Sequence, residues 1–207
     1  MHIISKESLI THDRLEKALD YTQYKTLIYN LLAEGRTTGS NHSEAMLGYT
    51  FINLQRMSRW DKTAKVSIEA QAQVQQIREK QTWLILTEAW CGDAAQNIPY
   101  LVKLAGSNPL IKVKFILRDE NPDLMEAFLT NGTRSIPKLV AIREKDLSVA
   151  FTWGPRPQLL QEKYQVYKAN PELMEKKAFA ESVHLWYAKN KNQALEAEFL
   201  NLLRHSS

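Results

Sequence analysis

The chain has one cysteine, Cys91, in 207 residues. No intramolecular disulfide can form, which excludes a disulfide-stapled secreted scaffold and makes a reducing compartment the natural setting. A cytoplasmic protein is therefore expected. Glycine and proline are also scarce, at seven each, well short of the roughly 12 % average for the two together. With 44 % hydrophobic and 24 % charged residues, this excludes a collagen, a low-complexity polymer and a mainly disordered chain. No apolar run approaches the ~18 residues that a membrane-spanning helix needs. Residues 1–17 show no long apolar segment and no small-residue cleavage site, so no leader peptide is expected. Charge of one sign is lacking too: 27 basic against 23 acidic residues leave a formal charge of +4. The basic residues alternate with acids, as in Arg78-Glu79-Lys80 and Arg143-Glu144-Lys145-Asp146. Nucleic-acid binders cluster Lys and Arg among aromatics, so no nucleic-acid partner is expected, and no membrane partner either.

Hydrophobic spacing divides what is present into three stretches. Residues 1–80 read as helical. Asp13-x-x-Glu16 resembles a capping box that opens a helix to about Glu34, with Leu15, Leu19, Leu27 and Leu31 on its apolar side. Gly35 ends it. Further helices are expected from Ser43 to Trp60 and from Lys65 to Lys80. The texture changes at Thr82, where Thr82-Trp-Leu-Ile-Leu-Thr-Glu88 has strand length and composition. A helix over 93–105, a strand over 111–117, a helix capped by Asn121-Pro122, and strands at 138–142 and 149–153 follow. The turn Gly154-Pro-Arg-Pro157 leads to a helix over 158–169 and a last one from Pro171 to about Arg204. The order strand, helix, strand, helix, strand, strand, helix predicts an α/β fold. Its central sheet is mixed, with a right-handed parallel crossover first and an antiparallel pair last. Three parts are expected: a helical N-terminal extension (1–80), an α/β core (81–170) and a C-terminal helix (171–207).

Cys91 stands in Trp90-Cys91-Gly92-Asp93-Ala94, between a strand and a helix. Free N–H groups and the helix dipole at such a place stabilise a thiolate and lower the thiol pKa. The plain alternative is that a lone cysteine serves as a small buried hydrophobe. Pro99 follows eight residues on, and Ser135-Ile136-Pro137-Lys138 opens the third strand. Asp119-Glu-Asn-Pro122 follows the second strand, and Gly154 the fourth. In this order, these features resemble the thioredoxin family over roughly residues 82–169. That family carries Trp-Cys-Gly-Pro-Cys at the helix start, a proline eight residues beyond the first cysteine, and a cis-proline after an isoleucine. The resemblance implies a thioredoxin-like fold with helical extensions at both ends.

It also implies site residues: Cys91 as attacking thiol, with Trp90, Gly92, Asp93, Arg134, Ile136 and Pro137 forming the substrate groove. Ile136 would offer its backbone to an extended peptide. Arg134 and Lys138 would stabilise a thiolate or an acidic ligand such as glutathione. Two departures qualify this. The family's second cysteine is Ala94, and its buried proton-shuttling aspartate is Ile85. Both lost groups serve the second half of a dithiol cycle, so any mixed disulfide must be resolved by an outside thiol. Asp93, in the place of the family's proline, reads first as an ordinary capping carboxylate. It also competes with a thiolate for the positive helix end, which would make Cys91 less reactive.

Two functions remain open on the sequence. The first is a single-thiol protein in thiol–disulfide exchange, whose partners are protein or low-molecular-weight thiols and disulfides. The second is a non-catalytic thioredoxin-fold binding module for a peptide or small ligand. No cofactor is implied. The histidines at 2, 12, 42, 184 and 205 show no metal-ligand spacing, so no metal site is expected. His42 could reach Cys91 from its polar loop, but the surroundings of a Cys–His hydrolase are missing. Trp153 is expected in the core, and the stripe Val183, Trp186, Tyr187, Leu195, Phe199 on a packed face.

Overall fold

The computed structural model describes residues 9–205. Residues 1–8, which carry His2 and part of the stretch read as lacking a leader, lie outside it, as do 206–207. The elements run α1 (His12–Lys17), α2 (Tyr21–Ala33), α3 (Glu44–Thr63), α4 (Ile68–Val74), β1 (Gln81–Thr87), α5 (Gly92–Ala105), β2 (Ile111–Leu117), α6 (Pro122–Ala127), β3 (Lys138–Arg143), β4 (Val149–Trp153), α7 (Gln158–Ala169), α8 (Lys176–Asn190) and α9 (Gln193–His205). The sheet order is β2-β1-β3-β4. β1 pairs parallel with β2 and antiparallel with β3, and β3 pairs antiparallel with β4. This is the expected mixed α/β sheet flanked by helices.

β1 is central and covered on both faces, so all seven of its residues are buried. That explains its continuous apolar run in place of an alternating one. Trp83 and Phe115 share one face. Trp83 meets Phe151 and Phe199, and Phe115 stacks on Tyr24 of α2 at 5.0 Å. α1 lies over the opposite face, where Leu15 sits with Thr82 and Lys112.

Three helix expectations are corrected. The helix predicted over 13–34 is broken at Leu19, which exchanges both backbone hydrogen bonds with Phe115 at 2.9 and 2.8 Å. The chain thereby crosses the open edge of β2 and shields it. Asp13 does not cap. Thr11 caps α1, and the capping box belongs to Asp20 and Gln23 at the start of α2. The helix predicted over 65–80 keeps only Ile68–Val74. Just beyond it, the side-chain amide of buried Asn108 donates to the carbonyls of Val74 and Ile77, 2.9 Å each, and fixes a non-helical path. The predicted final helix is a short 3-10 turn over Pro171–Leu173 followed by α8 and α9. Lys191 and Asn192, both at positive φ, make the corner between them. The side-chain amide of Asn192 donates there to the Gln96 carbonyl of α5.

The turn after β4 presses on the start of β3. Gly154 has a φ of +121°, and a Cβ there would drive into the Pro137 carbonyl. Glycine is thus required twice over, by conformation and by space. Gly154→Ala should lower stability by about 1–3 kcal/mol, measured by urea unfolding. A neutral result would mean that the turn is free to withdraw from Pro137.

Candidate functional site

The chain leaves β1 through a loop pinned from the N-terminal helices. The Ala89 N–H donates to Thr38 Oγ1 at 2.9 Å, and the Ala89 carbonyl accepts from Asn53 Nδ2 of α3 at 3.0 Å. The Cys91 N–H donates to the Glu88 carbonyl, and the Cys91 carbonyl accepts the Ala95 N–H of α5. Cys91 is thus the residue that caps α5, with Pro99 inside that helix.

The sulfur faces inward. Cys91 is 8 % exposed, and its Sγ lies 3.2 Å from the Ile136 carbonyl, to which the thiol donates. The Ile136–Pro137 bond is cis. Burial, and next the charge of Asp93, push the Cys91 thiol up to about 12. The Ala94 and Asp93 N–H groups and the Arg156 charge act the other way. The helix-start effect foreseen from the sequence is present, but desolvation outweighs it. The sequence left the net direction open between these opposing effects, and in the structure it is upward.

Asp93 does not cap the helix with its carboxylate. Its Oδ2 accepts from Arg156 Nε at 2.9 Å and Nη2 at 2.5 Å, and its Oδ1 accepts from Tyr187 Oη at 2.7 Å. Both charged side chains are largely buried, at 9 % and 14 % exposed. Arg156 further donates to Gln161 and lies 3.8 Å over the Tyr164 ring. Asn97 donates to Tyr187 Oη and to the Asp93 carbonyl. One carboxylate therefore ties the start of α5 to the turn after β4 and to α8. The charge of Asp93, with its hydrogen bond, holds the Arg156 guanidinium up against the opposing effect of burial.

Beside the thiol lies a chamber of about 340 Å³ between α3, α5, α7 and α8. Trp90, Tyr49, Met46 and Tyr164 supply much of its lining, with the Arg56 guanidinium and the His184 imidazole among the lining side chains. Their atoms converge over Gly92. A Cβ there would stand 3.7 Å from Arg56 Nη1 and 3.8 Å from His184 Cε1. Burial, then the Arg56 charge, pulls the His184 imidazole toward its neutral form.

Of the residues expected at the site, Cys91, Gly92, Asp93, Ile136 and Pro137 come together, with Trp90 at the rim under the Arg118 guanidinium. Arg134 does not join them. It is exposed and holds Glu126. Lys138 is buried, with its ammonium on Thr130 Oγ1. His42 braces its own loop by accepting the Thr37 N–H. Trp153 is buried as expected, its Nε1 donating to Glu198. Arg56, Arg156, His184 and Tyr187 were not foreseen, because they arrive from elements far in sequence from the Cys91 motif. The Gly154–Pro157 turn was the one legible hint of Arg156.

A buried acid does stand near this loop, though not at Ile85, which packs in the core. Glu88 is fully buried, and its Oε1 accepts the Asp119 N–H at 2.9 Å. Burial pushes its carboxyl above the usual range, against hydrogen bonds from Thr38 and Asp119.

Set beside known proteins, this arrangement has relatives. The family model described as thioredoxin matches residues 39–171, more than half of the chain. The chain belongs to the thioredoxin family. A protein of unknown function from Pseudomonas aeruginosa, solved by crystallography, is similar across 99 % of this chain and 100 % of its own, with 14 % identity and a TM-score of 0.58. A crystallised HIV epitope-scaffold is similar across 94 % of this chain and 98 % of its own, at 15 % identity and a TM-score of 0.57. At such identities, the likeness is one of fold. No match is found among curated protein sequences. Among the described residues, no helix is long and apolar enough to cross a membrane.

Two outcomes follow from these charges. Asp93→Ala strands a buried guanidinium and should cost about 3–5 kcal/mol, read by denaturant unfolding. A loss under about 1 kcal/mol would mean that Arg156 finds water instead. Glu88 has a raised folded-state pKa, so its contribution is full below the unfolded pKa and is lost as pH rises through the folded one. Glu88→Gln should therefore be more stable than the native chain at pH 7, with the difference shrinking toward pH 4. A pH-independent difference would contradict the assignment.

Proposed function

We propose that this thioredoxin-family protein is a binding module for a small ligand, seated in the chamber beside a closed thiol. The observation that carries the reading is the Cys91 sulfhydryl, buried and donating to the Ile136 carbonyl. Disulfide exchange needs a thiolate with a clear line of attack on sulfur. Here the proton is held by a hydrogen bond, burial opposes the charged form, and α8 is fastened over the helix start through Tyr187 and Asp93. A substrate peptide would also need the backbone of Ile136, a buried residue whose carbonyl already accepts the thiol. These features favour a small ligand over a peptide and binding over redox turnover.

Single-thiol exchange keeps one supporting observation, the place of Cys91 at the start of α5. It would require α8 to swing away. The partner would then be a low-molecular-weight disulfide. Cys91 sulfur would bond to one of its sulfurs, and the other would leave as a thiolate.

The two readings separate in one experiment. Native protein is incubated with glutathione disulfide at pH 7.5 and weighed by mass spectrometry, with Cys91→Ala as control. The binding reading expects no glutathione adduct. In parallel, phenylacetamide is titrated while the Met46 methyl and Gly92 amide signals are followed by NMR, and millimolar saturable shifts confined to the chamber are expected. Rapid adduct formation with an unresponsive chamber would replace this reading with thiol exchange.

A further inference from the structure

Among the described residues, Arg56 has no counter-ion. It is half-buried, and its Nη1 donates to the neutral amide oxygen of Asn53 at 2.9 Å. Burial pulls its pKa down. A guanidinium drawn from water without an anion is costly to keep. Asn53 nonetheless holds it in place, itself fixed by its bond to the Ala89 carbonyl. The nearby carboxylate, Asp93, is spent on Arg156 and Tyr187. His184 approaches the same point above Gly92, and its Nδ1 is sealed from solvent without a hydrogen-bond partner.

We infer that the chamber binds a small monocarboxylate with an apolar body, whose carboxylate lies on Arg56 above Gly92 beside His184. This rests on the reading of the chamber as a ligand site and names the class of ligand. A planar guanidinium matches a carboxylate with two parallel hydrogen bonds. The count of charges selects a single negative charge. Arg56 and Arg156 are positive and Asp93 negative, so the neighbourhood lacks one anion, and a doubly charged phosphate would meet Asp93 with charge left uncompensated. The walls select the rest, since Trp90, Tyr49, Met46 and Tyr164 offer rings and a thioether to an apolar body.

Phenylacetate and its neutral isostere phenylacetamide are titrated against the full chain, with inorganic phosphate as a third probe, following the Met46 methyl and Gly92 amide by NMR. Phenylacetate is expected to bind at least tenfold more tightly than the amide, and phosphate more weakly than phenylacetate. Arg56→Gln should weaken the acid far more than the amide and so remove the preference between them, and Arg56→Lys should keep part of that preference. Gly92→Leu, which fills the point between Arg56 and His184, should weaken the acid at least tenfold. It guards against an Arg56 effect that comes from misfolding. Equal affinities for acid and amide in the native chain would overturn the carboxylate inference and leave the ligand site standing. Tighter binding of phosphate than of phenylacetate would overturn it as well. No chamber response to any probe would overturn both readings.

Discussion

The Asp93 carboxylate is the constraint on which the rest of the site depends. It faces the Arg156 guanidinium with two hydrogen bonds and accepts a third from Tyr187. These three residues come from the start of α5, the turn after β4 and α8. Buried ion pairs contribute little net stability compared with an apolar replacement, but breaking one is expensive. That asymmetry suits a fastening. The carboxylate ties α8 to the helix start at which Cys91 lies buried. The same charge acts on the thiol, opposing its ionisation. Position and electrostatics therefore work in one direction, toward a closed sulfhydryl.

Three circumstances would aid ionisation of a thiol at this place: exposure, helix-start N–H groups and a neighbouring backbone that leaves the sulfhydryl free. This chain keeps the second, in the N–H groups of Ala94 and Asp93. The first is removed by burial. The third is inverted, because the Ile136 carbonyl accepts a hydrogen bond from the thiol. Fold alone does not assign chemistry. The sulfur's surroundings bear on it, and here they oppose ionisation of the thiol.

Much of this was legible in the sequence. The motif at 90–94, Pro99 and Ile136-Pro137 are local features with strong conformational consequences, so the family and the sheet could be read from them. The strands over 111–117 and 149–153 also stood out, because apolar β-formers end at turn residues. Breaks in helices were hidden, since Leu19 fits a helical stripe as well as it fits an edge bridge to Phe115. The direction of the Cys91 shift was hidden too. It depends on how deeply the sulfur is buried and on the Asp93 charge beside it, and Asp93 is held by Arg156 and Tyr187, 63 and 94 residues further along. Tyr187 read as part of an apolar stripe, and its hydroxyl on Asp93 gave no periodic signal. Arg56 had no signature at all, because a missing counter-ion is visible only in three dimensions.

The most direct measurement is a titration of the Cys91 thiol in the native chain, following its Cβ carbon by NMR on cysteine-labelled protein. The expected result is a sulfhydryl signal that holds unchanged past about pH 10, in keeping with a thiol displaced to about 12. A transition to thiolate at or below about pH 8, near or under the free-cysteine value, would contradict it.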